Sequence, residues 1–431
     1  MSRRAIRGRL IWFDGDPVAG GKVHDIEDGI VLVRDGLIEA VGEDVVVPDG
    51  CPVDDHRGRL VMPGLIDTHI HFPQTQVIAS YGTQLLDWLE RYTFVEEQRF
   101  EDPEHAASVA DFFLDELFRN GTTTAVVYCS VHAQSADAFF AAAERAGARM
   151  IAGKVMMDRN APEALCDTAE SSYRDSRALI ERWHGRGRLG YAVTPRFAIT
   201  SSEGQLDAAG TLLKEHPDCW MQTHLAENHN EIRTVGELFP RHRDYTDVYD
   251  QFGLLGPRSV LGHCIHLSDR ELACLAERDA VASFCPTSNL FIGSGLFDLA
   301  RTRLAGVRVA LATDVGGGSS YSMLQTAAAA YQVCQLKGLN LDPLRAFWMM
   351  TAGNAEALRL GDRIGKLEPG MEADIVVLDP RSTPAKAHRM ERIEGDLAPT
   401  LFVLMTLGDD RAVTATYVAG VQRVGTGVSP R

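Results

Sequence analysis

Leu60-Val61-Met62-Pro63-Gly64-Leu65-Ile66-Asp67-Thr68-His69-Ile70-His71 is an apolar run that ends in two imidazoles two positions apart. Residues i and i+2 of a β-strand point to the same face, so both side chains can close on one ion. First-row metals accept such donors in that arrangement. A strand that opens a parallel barrel and ends this way brings both nitrogens to the C-terminal mouth, where barrel enzymes keep their chemistry. Alone, H-x-H arises by chance in many chains. Its weight comes from its place after Pro63-Gly64-Leu65-Ile66-Asp67-Thr68 and from further candidate ligands at strand ends downstream.

Working outward, residues 61–364 alternate strand-like and helical stretches. The strand-like segments are 65–71, 121–127, 149–155, 189–194, 219–224, 259–263, 280–284 and 307–313, with helices such as 135–146 and 203–215 between them. Eight such units predict a closed (β/α)8 TIM-like barrel rather than an open sheet. The chain ends have another texture, of short strands and tight turns. Asp28-Gly29 and Asp35-Gly36 between apolar runs read as hairpin signals, because both central positions want positive φ. Segment 373–379, then 413–418 and 421–424 around Ala419-Gly420, continue the pattern at the far end. Neither end has strands enough to bury a face. Residues 1–60 and 365–431 are therefore expected to join in one small β-sandwich domain flanking the 61–364 catalytic barrel.

The 431-residue chain is long enough for that architecture, and 45% hydrophobic and 7% aromatic residues suit an ordinary globular core. A formal net charge of −16 argues against nucleic acid or an anionic membrane as partner. No apolar region follows the basic residues of Met1-Ser2-Arg3-Arg4-Ala5-Ile6-Arg7, so no secretory signal is expected. No run of 18 or more apolar residues occurs, and none is expected to span a bilayer. Cys51, Cys129, Cys166, Cys219, Cys264, Cys274, Cys285 and Cys334 are scattered without a C-x-x-C pair. This is the pattern of reduced thiols in a cytoplasmic enzyme, and it excludes finger-type thiolate zinc sites.

Four more residues fall at or just past predicted strand ends: His224, Glu227, His263 and Asp314. Each has a plain structural reading by itself, a hydrogen-bonded histidine or a turn-forming aspartate. Jointly those readings fail, since barrel strand ends converge on one mouth. His69, His71, His224 and Asp314 are expected to hold one divalent ion with a position open for water. Such an ion lowers that water's pKa from 15.7 towards ~7, giving hydroxide at neutral pH. Glu227, beside the metal but not bound to it, is placed to carry the proton to a leaving nitrogen. His263 would orient the hydroxide and steady the developing charge. Gly316-Gly317-Gly318 after Asp314 has no following Lys-Ser/Thr, so close backbone approach explains it better than phosphate binding.

With His224, His263 and Thr313-Asp314, the opening motif resembles the amidohydrolase superfamily, and within it the guanine deaminase family. The narrower resemblance rests on His71-Phe72-Pro73-Gln74-Thr75-Gln76, Leu85-Leu86-Asp87-Trp88-Leu89 and Gly153-Lys154-Val155-Met156-Met157-Asp158. Thr194-Pro195-Arg196-Phe197, Cys285-Pro286-Thr287-Ser288-Asn289-Leu290 and Gly408-Asp409-Asp410-Arg411 extend it over nearly the whole chain. The resemblance implies hydrolytic deamination of guanine to xanthine and ammonia. It implies that Gln74, Arg196 and Phe197 line the purine site and that Glu227 and Asp314 take part in proton transfer. Trp88 reads as a further pocket wall or, equally, as a helix core residue. A flat ring edged with donors and acceptors calls for a carboxamide, a guanidinium and an aromatic face, which agrees.

Rival designs differ in specific residues. The deaminases built on H-x-E with P-C-x-x-C are excluded, as that second motif is absent, and so is H-E-x-x-H. The fourth strand carries no lysine to bridge two metals, and Lys154 on the third is better read as structural, so one ion per subunit is expected. Zinc suits the donors best, with iron second. Another aminohydrolase, of 8-oxoguanine, cytosine or a triazine, would share the metal set and differ only in the pocket. A non-catalytic scaffold would be free to lose ligands, yet all are present. The resemblance also implies a homodimer.

Overall fold

The computed structural model describes residues 3–82, 84–393 and 395–425; Met1 and Ser2 of the basic N-terminal stretch lie outside them. The first four strands are β1 (Arg3–Asp14), β2 (Lys22–Arg34), β3 (Leu37–Gly42) and β4 (Val53–Pro63). β5 (Leu65–His71), β6 (Thr122–Tyr128), β7 (Arg149–Gly153) and the short β8 (Val155–Met156) follow. Next come β9 (Gly190–Pro195), β10 (Trp220–Leu225), β11 (Ser259–His263), β12 (Val281–Phe284) and β13 (Arg308–Leu311). The chain closes with β14 (Ile375–Leu378), β15 (Val413–Val418) and β16 (Val421–Val424).

Eight parallel strands run in the order β5, β6, β7, β9, β10, β11, β12, β13, with β8 paired to β9. Backbone bonds beyond the ladder bring the last strand back to the first: Asp314 N donates to His69 O at 2.9 Å and His71 N to Val315 O at 2.7 Å. The Asp67 carboxylate assists by accepting from Thr313 N at 3.1 Å. The result is the expected barrel. The third predicted strand divides at Lys154, whose ammonium is buried and bonded to Val155 O and the Asp167 carboxylate. Its role is structural.

The two chain ends combine in one seven-stranded sheet, β16-β15-β14-β4-β1-β2-β3. Asp35 and Gly36 take φ of 50° and 85° and turn β2 into β3 as expected. Asp28-Gly29 makes no hairpin: it lies inside β2, with Gly29 opposite Gly8 beside a bulge. A Cβ on Gly29 would stand 2.6 Å from the Leu10 side chain, so this glycine serves close packing rather than a turn.

β4 enters the barrel as β5 through Gly64. A side chain there would collide with Thr123, its Cβ only 2.1 Å from Oγ1. Within β5, Ile66 shares an interior cluster with Val126, Ile151, Ala192, Trp220 and Val260. Strict alternation from Ile66 would turn His69 and His71 outward. Pairing with β6 slips by one residue between Asp67 and Ile70, a bulge that turns both imidazoles into the barrel. Among the described residues no helix is long and apolar enough to cross a membrane, and all eight cysteines are unpaired.

Candidate active site

The six strand-end residues meet at the C-terminal mouth. Ligand atoms of His69, His71 and His224 lie within 4.8 Å of one another, as do those of His69, His263 and Asp314. Asp314 Oδ1 is 3.3 Å from His69 Nε2 and 3.4 Å from His71 Nε2. His71 and His224 turn their Nε2 atoms toward each other at 3.2 Å. Gly262 makes room, since a Cβ there would stand 2.5 Å from the His69 ring. His263 and Asp314 adopt left-handed backbone, φ 70° and 54°, strain of the kind that collects at functional sites.

Hydrogen bonds fix the tautomers. His224 Nδ1 donates to Arg196 O at 2.7 Å, leaving Nε2 as a bare lone pair. His263 Nδ1 donates to the Asn289 carboxamide oxygen at 2.9 Å, leaving its Nε2 to face Glu227 Oε2 at 3.3 Å. Neither ring nitrogen of the buried His69 has a well-aligned hydrogen bond, though Nε2 lies 3.3 Å from Asp314 Oδ1. Three imidazoles crowded against one buried carboxylate are what a shared cation would draw together. The donor set therefore fits a divalent metal, which His69, His71, His224 and Asp314 would hold.

The electrostatics agree. Burial, with neighbouring positive charge, lowers His71 to about 3 and drives His224 well below the ordinary imidazole range. Both stay neutral and free to ligate. Burial pushes the other way on Asp314, yet the imidazoles beside it, His69 first and then His71 and His263, hold it well below a normal carboxylate. Glu227 is raised to about 8, by burial first and then by Asp314. A carboxyl group that exchanges protons near neutrality is what a shuttle requires.

A pocket of about 390 Å3, counting space open to solvent, lies over this cluster. His71, His224, Glu227, His263 and Asp314 form its base; Gln74, Leu85, Trp88, Leu89, Arg196, Phe197, Ile292 and Gly317 form its walls. Every sequence-predicted residue except His69, which lies beneath, reaches this cavity. Trp88 satisfies both of its readings: it is buried, donates Nε1–H to Ser80 O at 3.3 Å, and lines the pocket. The glycine run allows close approach, for a Cβ on Gly317 would stand 3.1 Å from Asp314 Oδ2 and one on Gly318 1.9 Å from Thr313 O.

Several contributors went unread in the sequence. Ser294 Oγ donates to Glu227 Oε1 at 2.7 Å, leaving Oε2 turned to His263. Asn289, within a motif already quoted, orients His263. Tyr128 stacks on the His71 ring, centroids 4.3 Å apart. Glu97, fully buried, binds both Gln74 and Arg196. It comes from the segment between β5 and β6, whose path over the mouth no local pattern announces.

Residues 60–423 match the Amidohydrolase family. The chain is 49% identical over 425 residues to the guanine deaminase of Escherichia coli strain K12, covering 97% of each. The solved E. coli guanine deaminase superposes with a TM-score of 0.95 at 48% identity, over 97% of this chain and 99% of that one. A guanine deaminase from C. acetobutylicum, with guanine bound in its active site, gives 0.88 at 29% identity, over 98% and 100%.

Proposed function

From a chain that belongs to the amidohydrolase family, we infer a guanine deaminase that converts guanine and water to xanthine and ammonia. The observation that carries this reading is one cavity in which the His/Asp cluster, Glu227 and the polar walls Gln74 and Arg196 face the same space. The near-full-length likeness to guanine deaminases supports the choice of substrate.

A bound divalent ion supplies a Lewis acid that acidifies water and polarises the ring. Zinc, one ion per subunit, suits the imidazole and carboxylate donors, with iron second. Phe197 and Trp88 enclose the flat heterocycle, while Gln74 and Arg196 read its polar edge. That leaves the amino-bearing carbon over Glu227. As water adds there, Glu227 takes its proton; as the carbon–nitrogen bond breaks, Glu227 returns that proton to the nitrogen, and ammonia departs. Ser294 fixes the rotation of the carboxylate, and His263, held by Asn289, presents its Nε2 lone pair beside Glu227, where it accepts a hydrogen bond from the incoming water and orients it. Scattered unpaired cysteines support a cytoplasmic location; the homodimer rests on family resemblance.

Ammonia release from guanine, 8-oxoguanine, cytosine and adenine, followed on protein of measured metal content, tests the reading. Guanine should exceed every other substrate by at least about a hundredfold in kcat/KM, roughly 3 kcal/mol of discrimination. Faster release from any of the others would overturn it.

A further inference from the structure

We propose that Glu97 is a positioning and specificity residue, which locks the two purine-reading side chains in place and cancels the charge of Arg196. The proposal rests on the guanine reading above and deepens it. Glu97 does not line the cavity, so it acts through its neighbours. It ends the short helix Phe94–Glu97 and is 1% exposed. One carboxylate oxygen, Oε1, accepts from Gln74 Nε2 at 3.0 Å, and the other, Oε2, accepts from Arg196 Nη1 at 2.6 Å. Two readers from opposite sides of the mouth, one after β5 and one after β9, thus hang on a single group.

Two consequences follow from its chemistry. An ionised carboxylate only accepts hydrogen bonds. Gln74 must therefore turn its NH2 to Glu97, and its oxygen then accepts from Gly316 N at 3.2 Å. The amide cannot flip, so which groups it offers the substrate are settled before binding. Arg196 is held likewise, between Glu97 and the Phe94 ring, whose centroid is 5.5 Å from the guanidinium carbon. Its remaining N–H donors suit a ring carbonyl or nitrogen acceptor and reject an amino group in that place.

The second consequence is electrostatic. Arg196 and Glu97 are both almost fully buried and sum to zero charge. A neutral oxopurine then meets no net charge on this wall. An unbalanced guanidinium there would favour anions strongly, because little water screens it. Xanthine is more acidic than guanine and loses a proton more readily as pH rises. Without Glu97 the pocket should hold its own product.

Glu97→Gln keeps the shape and removes the charge. Its KM for guanine should rise about tenfold with kcat within threefold of the parent and metal content unchanged. The ratio of the xanthine inhibition constant to the guanine KM should fall at least tenfold, and further at higher pH. Glu97→Asp keeps the charge on a shorter stem, so KM should rise at least threefold while that ratio stays at the parent value. Were the Gln variant not to fold, the Asp variant still decides, since a parental KM would overturn the proposal. An unchanged ratio in Glu97→Gln, or kcat falling while KM holds, would overturn it as well. A parent enzyme that releases no ammonia from guanine would instead sink the substrate reading, which separates the two failures.

Discussion

Two charged clusters, one buried and one part-buried, sit at opposite ends of the barrel, and they are built on opposite terms. At the floor, where strands begin, Arg149 Nε donates to Glu372 Oε2 at 2.7 Å and Arg188 Nε to the same oxygen at 2.8 Å. Arg188 also binds the Asp374 carboxylate and donates to Gly147 O at 2.9 Å. Asp374 also accepts from Ala419 N at 2.8 Å, so Arg188 ties the seven-stranded sheet to the barrel through this carboxylate. At the mouth, neither His69 nitrogen has a well-aligned hydrogen bond, and the His71 and His224 Nε2 atoms face each other at 3.2 Å. The floor is complete without any ligand. The mouth groups its donors as a bound cation would require. Charge is common to both, so it does not mark function; what sets the mouth apart is imidazoles and a carboxylate crowded on one point.

The largest effect should come from removing a charge that the mouth needs. Asp314→Ala takes away the sole carboxylate among the proposed ligands. Elemental analysis should find the bound metal lost or sharply reduced, and kcat/KM for guanine should fall at least about a thousandfold, several kcal/mol of lost transition-state stabilisation. The fold should survive, because the barrel closes through the Asp314 and Val315 backbone rather than this side chain. Full metal occupancy with near-parental turnover would show that the contrast between the clusters had been misread.

The barrel and the convergence of the candidate ligands were legible because both depend on local periodicity. Apolar strand runs recur with helices between them, and β5 and β11 have the bounds expected from sequence. What escaped depended on tertiary register. The bulge that turns His69 and His71 inward follows from how β5 pairs with β6, which the residues 65–71 do not state. Glu97 reaches Gln74 and Arg196 across 23 and 99 positions of sequence. Asp28-Gly29 misled because a glycine required by packing looks the same in sequence as one required by a turn.

The floor gives the next largest effect, on stability rather than rate. Arg188→Met leaves Glu372 and Asp374 with less compensation in a part-buried setting, a change that should cost less than the ~3–5 kcal/mol of breaking a fully buried pair, because Glu372 keeps Arg149. Urea unfolding should show that loss, while kcat and KM for guanine in folded protein stay within twofold. A variant as stable as the parent would mean water satisfies the floor, and one folded but inactive would couple the floor to the mouth.

The smallest effect separates the clusters by their response to pH, read on chelated protein where Glu227 faces no added cation. Burial opposes ionisation of Glu372, but Arg149 and Arg188 hold it below the usual 4.5. Its contribution is present above the unfolded value and is lost as pH falls through the lower folded one. Glu227 has the reverse sign, raised from 4.5 to about 8 by burial and Asp314. Between those values the folded state keeps a proton that the unfolded chain has released, so stability falls as pH rises and the cost is complete above about 8. Glu227→Gln should therefore match the parent's melting temperature at pH 5 and exceed it by a few degrees at pH 9. Glu372→Gln should lower it at pH 7 and flatten the acid limb, since the variant has no carboxylate there to protonate. Parallel melting profiles for parent and Glu227→Gln would mean that this carboxylate is solvated in the metal-free fold, and the mouth would then not be the cluster held at a cost to stability.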